Sequence, residues 1–338
     1  MTVQVGIIGV GAMGADHFDR LTERVAGARV VAVADVDLAR AQALAAGSSD
    51  VRAYGDGQEL IVDPAVQAVV VVTWGRFHAK DVVAALEADK DVFCEKPMAE
   101  SVEDCRRIVD AEVAHGRRRI TVGFTRRFDA GYRAMKAELD AGTVGAPLMA
   151  HCVHRNATAP PYGFTEDQFM TDSAVHEIDV CRWLFGQEMA AVRVMRPTPT
   201  TAGTPGLQDP QFLIMETAGG AVIDVEVFMN CGYAYDVRCE LVAETGTLSL
   251  GEPTPVVIRQ EGARAGPITP GFLERFALAY DRELQEWVDG VAAGRVIEPS
   301  AWDGLAATMV STACVQSLHG AGRVEIDMPE RPKFYRSG

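Results

Sequence analysis

Three polar side chains, Asp172, His176 and Asp179, recur along one short stretch of the chain. At i, i+4 and i+7 they fall within an arc of about 60° if the segment is a helix turning about 100° per residue. Two carboxylates then flank one imidazole. That is the wiring of a general base: a histidine titrating near neutrality, held and made more basic by an acid. These residue types also have plainer uses, since an aspartate near a helix start caps it and a helical histidine often only packs. A fourth group, Lys96, follows an apolar run and precedes Pro97. The proline ring fixes its own φ and restricts the lysine to extended backbone. An ammonium aimed in this way can stabilise a developing alkoxide, the task a metal performs elsewhere. Together the four groups describe proton removal from a hydroxyl, provided the ammonium and the imidazole reach one oxygen.

The elements that must carry these groups are legible. The spacing predicts a helix over 172–185, capped by Asp172 or Ser173 and stopped by Gly186, with Val175, Ile178, Cys181 and Phe185 turned to a core. At the other end of the chain an apolar strand over 4–8 runs into Gly9-x-Gly11-x-x-Gly14, a helix over 15–25, and a strand over 29–35 ending in Asp35. A glycine pattern alone is weak, but this order of strand, turn, helix, strand and acid is specific for a dinucleotide. Gly9 permits the tight turn, Gly11 lets backbone approach a pyrophosphate, and Gly14 lets helix and strand pack closely. Gly9, Gly11, Ala12, Met13 and Gly14 are therefore cofactor candidates, and the helix N-terminus attracts the phosphates. Asp35 accepts bonds from ribose hydroxyls and repels a 2′-phosphate, so NAD is expected over NADP. Arg40 is the nearest cation that weakens this preference.

Strands over 68–72, 91–94 and 120–123 alternate with helices over 38–46, 79–88 and 102–115, which implies a doubly wound parallel sheet. Ligands of such sheets sit beyond the strand carboxyl ends, where Thr73, Trp74, His78, Glu95 and Lys96 lie. Residues 1–123 are expected to form this Rossmann domain. Residues 124–338 are expected to form a substrate-binding and oligomerisation domain of the α+β class, with a large, mostly antiparallel, open-faced sheet. Its elements are a helix over 130–141, a strand over 148–154 and the helix over 172–185. Strands over 191–195, 212–216, 221–228, 236–243 and 247–250 follow, with hairpin signals at 218–220 and 244–246. Helices over 272–293 and 300–318 are expected to pack back on the first domain, and a last strand covers 323–327. His151 and His154 point to opposite faces of their strand, which argues against a metal clip; no metal is expected. Tyr233 and Tyr235 read as strand-end tyrosines.

Composition narrows the class. The 338 residues are 48% hydrophobic with a formal charge of −15, which disfavours nucleic acid and anionic membrane as partners. Seven scattered cysteines, never spaced as CxxC, predict neither a disulfide framework nor a thiolate zinc site. With neither a cleavage signal nor a membrane-length apolar run in the sequence, a reducing, cytoplasmic setting is expected.

At this point the residues resemble a known family, the glucose–fructose oxidoreductase and inositol dehydrogenase family. GxGxxG, Glu95-Lys96-Pro97 and Asp172…His176 occur in its order and spacing. Phe93–Pro97, residues 122–129, residues 148–156, Val175–Asp179, residues 231–236, Ala301–Gly304 and Lys333–Tyr335 are similar to its bacterial inositol-oxidising branch. The resemblance spans essentially the whole chain. It implies NAD-dependent oxidation of a cyclitol hydroxyl, with Lys96, Asp172 and His176 as the catalytic set. It implies substrate contacts from Arg127, His154, Asn156, Asp179 and Tyr235, and a homotetramer built on the second sheet. Thr125, where a larger apolar residue is expected, and the proline-rich loop 157–163 depart from the pattern and leave the particular cyclitol open. A neutral polyol, myo-inositol, is the expected substrate. Scyllo-inositol, D-chiro-inositol, an amino-cyclitol or an aldose are the alternatives. A non-catalytic NAD-binding regulator should lack one of Lys96, Asp172 or His176.

Overall fold

The computed structural model describes residues 2–47, 50–161, 163–251 and 256–336. Its chain divides into two compact units: Met1–Phe124 with Tyr280–Thr308 and Glu330–Gly338, and Thr125–Ala279 with Met309–Pro329.

In the first unit, short apolar runs form the buried central strands of a sheet, with the partly exposed strand Arg52–Tyr54 at one edge. The strands are β1 (Val3–Ile8), β2 (Ala28–Ala34), β3 (Arg52–Tyr54), β4 (Ala68–Val71), β5 (Asp91–Glu95) and β6 (Ile120–Gly123), separated by α1 (Ala12–Glu23), α2 (Leu38–Ala45), α3 (Gly57–Ile61), α4 (Gly75–Glu87) and α5 (Val102–His115). The sheet order is β3-β2-β1-β4-β5-β6, and every pairing is parallel. Chain direction across the sheet reverses between β1 and β4, which opens the crevice where such sheets hold ligands. Val5, Ile7, Val33, Val70 and Phe93 form the centre of the core, with Leu284, Trp287 and Val288 packed into it. The short pair β3 and α3 is not expected from periodicity. Its signal is local: the Asp56 carboxylate caps α3 by accepting from the Gln58 N–H at 3.0 Å.

The second unit contributes α6 (Ala130–Asp140), β7 (Pro147–Arg155), α7 (Val175–Phe185), β8 (Met189–Met195), β9 (Gln211–Thr217), β10 (Val222–Phe228), β11 (Asp236–Ala243), β12 (Thr247–Ser249), a small hairpin of β13 (Ile258–Gln260) and β14 (Ala263–Ala265), and β15 (Arg323–Glu325). Helices α8 (Phe272–Arg275), α9 (Ala277–Ala292) and α10 (Ala301–Gln316) complete the chain; Tyr280–Thr308 belongs to the first unit. The seven-stranded sheet runs β12-β11-β7-β10-β9-β8-β15. Both hairpins lie at their signals, β9–β10 and β11–β12. One pair, β7 with β10, is parallel, so the sheet is mixed. Strand alternation sorts the faces. Ala150, Cys152, Ile223, Val225, Leu213 and Met215 are buried on one. The other displays pairs such as His151–Asp224 at 2.5 Å and Arg155–Glu226 at 2.6 Å. The Cys152 thiol lies 3.8 Å from those of Cys181 on α7 and Cys239 on β11, which places α7 on the apolar face. All seven cysteines are free thiols. Among the described residues, no helix is long and apolar enough to cross a membrane.

Candidate active site

The glycine turn is built as its spacing demands. Gly9 adopts φ +90°, and a Cβ there would stand 2.7 Å from the Val72 carbonyl oxygen. A Cβ on Gly14 would stand 1.9 Å from the carbonyl oxygen of Gly9, so these two positions are closed to any side chain. Gly11 differs: a Cβ there meets nothing within 4 Å. Helix α1 begins at Ala12, three residues earlier than the sequence suggested, with Gly11 as its N-cap, no side-chain cap and no acid in its first turn. Ala12 and Met13 lie in that turn. Its amide end therefore faces open space and favours an anion. Asp35, buried at the end of β2, accepts from the Val10 N–H at 3.0 Å and the Asp37 N–H at 2.9 Å. A guanidinium nitrogen of Arg40 stands 3.5 Å from it.

At the carboxyl ends of β4 and β5 the candidates separate into two groups. Trp74 is 56% exposed at the start of α4, and the Thr73 hydroxyl is buried with no hydrogen-bond partner among the described residues. His78, by contrast, is 1% exposed, and its ring nitrogens face the Thr73 carbonyl at 2.8 Å and the Pro97 carbonyl at 2.9 Å. Burial pushes its pKa down despite those carbonyls. A neutral ring carries one N–H and donates to one of these two carbonyls, so His78 sits between the loop after β4 and the loop after β5. Glu95 has two contacts: one oxygen lies 2.8 Å from Nε2 of His17, and the other accepts the Lys96 N–H at 2.9 Å. His78 and Glu95 thus also brace the loops that follow β4 and β5. Lys96 itself is half-buried, and the Lys96–Pro97 peptide is cis.

In the second unit the expected helix over 172–185 is two segments. Phe169–Ser173 is a wide turn in which the Ala174 N–H reaches the Phe169 carbonyl five residues back, at 2.8 Å; the α-helix proper begins at Val175. Asp172 is therefore inside the wide turn rather than capping a helix, and the regular spacing of 100° per residue does not hold between it and His176. Such turns often occur at functional sites. The core stripe Val175, Ile178, Cys181 and Phe185 is buried and Gly186 ends the helix at φ +62°. Asp179 is fully buried and grips Arg127 in a two-pronged pair, Nε to Oδ2 at 2.8 Å and a terminal nitrogen to Oδ1 at 2.5 Å. The fork holds Arg127 rigidly and cancels its charge.

Beside it lies a second buried cluster that sequence reasoning missed. Arg126 and Glu177 pair directly, both almost wholly buried, and Glu177 also lies 3.0 Å from Nδ1 of His154. Burial pushes the Glu177 carboxyl up, but the Arg126 charge and the His154 ring outweigh it and hold it below the usual range. His154 is buried, edge-on to Tyr235 at 5.7 Å between ring centres and 6.4 Å from the half-buried ring of His176. Tyr235 is buried among Phe272 and Phe276. The Asn156 side-chain oxygen is buried with no partner among the described residues. The structure thus gathers His154, His176 and Tyr235 and binds Arg127 to Asp179. Tyr233 stays half-exposed, its hydroxyl donating to Asp236 at 2.5 Å. No cluster of three or more His, Cys, Asp or Glu suited to a metal occurs among the described residues.

A dinucleotide fits the first unit on its own evidence: the vacant space over Gly11, the uncapped amide end of α1 and the carboxylate ending β2. These features define a dinucleotide-binding protein of the Rossmann class. Its sequence matches the oxidoreductase family with an NAD-binding Rossmann fold over residues 3–124, and that family's C-terminal alpha/beta domain over residues 136–326; the chain belongs to this glucose–fructose oxidoreductase and inositol dehydrogenase family. Inositol 2-dehydrogenase 3 of Saccharopolyspora erythraea is 50% identical over 335 residues, covering 99% of this chain and 98% of that protein. Inositol 2-dehydrogenase of Pseudomonas fluorescens is 47% identical over 338 residues, 99% and 100% of the two chains. The crystal structure of myo-inositol dehydrogenase from Lactobacillus casei in complex with NAD(H) and myo-inositol superposes with a TM-score of 0.96 at 37% identity, covering 99% of this chain and 100% of that one.

Proposed function

We propose that this chain is an NAD-dependent oxidoreductase that converts myo-inositol to 2-keto-myo-inositol (scyllo-inosose). The observation that carries the substrate is the full-length match to a myo-inositol complex, joined by the presence of Lys96, Asp172 and His176 together. NAD, when bound, accepts the hydride; the protein binds the reactants, orients them and manages the proton. The amide end of α1 and Gly11 receive the pyrophosphate, and Asp35 accepts from the ribose hydroxyls. Thr73 and Trp74 border the same crevice. His176 takes the substrate's hydroxyl proton, Asp172 holds its ring and stabilises the imidazolium, and the Lys96 ammonium stabilises the developing alkoxide.

His154, Asn156, Tyr235 and Arg127 supply donors and acceptors for the remaining hydroxyls. The mutual cancellation of Arg127 and Asp179 suits a neutral polyol, and a site built to bond each hydroxyl rejects an epimer that leaves one of its groups unpaired. Copies of the chain meet on the solvent face of the seven-stranded sheet to form a tetramer, and seven free thiols suit a reducing cytoplasm. Lys96→Ala and His176→Ala are each expected to lower kcat by about 10²–10⁴-fold, while NADH binding, followed by fluorescence, persists. Full activity in both variants refutes the assignment. Comparing NAD reduction across myo-inositol, scyllo-inositol, D-chiro-inositol and aldoses tests the substrate.

A further inference from the structure

One buried group with a specific partner has no part in the chemistry above. His17 lies on α1, the helix that opens at the phosphate-binding turn, and is 0% exposed. Its ring stands edge-on to Phe93 at 5.8 Å and against Tyr280 at 6.1 Å. Nδ1 has no hydrogen-bond partner among the described residues, so the ring's one polar contact is Nε2 to Glu95 Oε1 at 2.8 Å. The Nε2–H tautomer is the one that lets His17 donate to this carboxylate. The other oxygen of Glu95 accepts the Lys96 N–H at 2.9 Å. A two-bond relay therefore runs from the middle of α1 to the backbone of Lys96. On the same loop Nδ1 of His78 lies 2.9 Å from the Pro97 carbonyl oxygen.

We propose that His17 is a positioning residue for the reaction: through Glu95 it fixes the Lys96 backbone to the helix that receives the cofactor phosphates. The proposal rests on the role given to Lys96 above. Glu95 is buried, its side chain 9% exposed; without its histidine partner it loses one of the two bonds that set its orientation, and the Lys96 backbone loses its anchor. Misplacing a catalytic group by about 1 Å costs on the order of 10²-fold in rate.

The test is single-turnover kinetics on the full chain: enzyme preloaded with NAD is mixed rapidly with saturating myo-inositol, and NADH formation is followed by its absorbance. The amplitude reports the fraction of intact sites; the rate constant reports the positioning of the reacting groups. His17→Leu is expected to lower the rate constant about tenfold to a hundredfold, with amplitude and NADH affinity changed less than about twofold. His17→Gln, whose amide nitrogen lies near the place of Nε2, should restore most of that loss. A purely structural role for His17 would lower the amplitude and leave the rate constant alone, and that result overturns the proposal, as does a wild-type rate constant in His17→Leu. Should His17→Leu fail to fold, Glu95→Ala, which removes both bonds, decides by the same two readouts. Lys96→Ala run in parallel separates the two claims. If it is fully active, the role of the lysine fails. If it is inactive while His17→Leu is normal, only the relay fails.

Discussion

The two units make their polar sites in opposite ways. The first builds its ligand-facing turn from backbone: glycines where no side chain fits, the bare amide end of α1, and an aspartate held in place by two main-chain N–H groups. The second builds its polar centre from side chains that satisfy one another, Arg126 with Glu177 and His154, and Arg127 with Asp179. A backbone site is intolerant of added atoms. A side-chain site is intolerant of lost partners, because each group left behind is a buried charge.

That contrast can be broken experimentally, beginning with its largest consequence. Gly14→Ala would force a Cβ to 1.9 Å from a carbonyl oxygen and should abolish the folded first unit. Gly11→Ala, with nothing within 4 Å, should melt normally and bind NADH more weakly, by about tenfold or more, because the methyl occupies the ligand's space. Calorimetry and fluorescence titration check both; equal melting losses would remove the distinction between the two glycines.

Next in size, Arg127→Ala should destabilise the second unit by up to about 3–5 kcal/mol, since it takes away the two-pronged partner of buried Asp179 and leaves Arg182 at 3.8 Å. Arg127→Met combined with Asp179→Leu should recover most of that stability in denaturant titrations while inositol affinity stays poor. A double variant no more stable than the single one would show that the pair is not an isolated unit. Asp35→Ser should relax the cofactor preference toward NADP by about 1–2 kcal/mol, read as kcat/KM for both cofactors. It removes the carboxylate that repels a 2′-phosphate and leaves Arg40, now 3.5 Å from that carboxylate, to meet the phosphate.

The smallest effect is in pH. Glu177 has a folded pKa below its ordinary value, because Arg126 and His154 outweigh the upward push of burial. Its contribution to stability is complete above its unfolded pKa, about 4.3, and disappears as pH falls through the lower folded value. Glu112, in the first unit, behaves oppositely: burial raises its carboxyl despite bonds from Tyr335 and two backbone N–H groups. Its contribution is greatest below the unfolded pKa and fades as pH rises through the raised one. In melting curves taken against pH, the stability advantage of the parent over Glu177→Gln should therefore shrink on acidification, and that over Glu112→Gln should grow. Parallel curves would contradict the assigned signs.

How much of this was written in the order of residues follows the same division. Gly9, Gly11, Gly14 and Asp35 were recognisable because a phosphate turn depends on neighbours a few residues apart. The parallel sheet was recognisable from apolar runs alternating with helical ones, and the buried stripe Val175, Ile178, Cys181 and Phe185 from its period. Three features were not. The wide turn at Phe169–Ser173 breaks the 3.6-residue period on which the alignment of Asp172 and His176 was reckoned. The pairing of Arg127 with Asp179 spans 52 residues, and that of His17 with Glu95 spans 78; no local pattern says which buried charge will meet which. The parallel pairing of β7 with β10 likewise depends on how strands far apart in sequence line up.

Local order in the chain settled most of the helices and strands, the glycine turn and the residue types able to do the chemistry. Only the folded arrangement decided which of those polar groups are left for ligands and which are consumed in holding others still. The reason is that a buried charge must find a partner, and the identity of that partner is a property of packing in space.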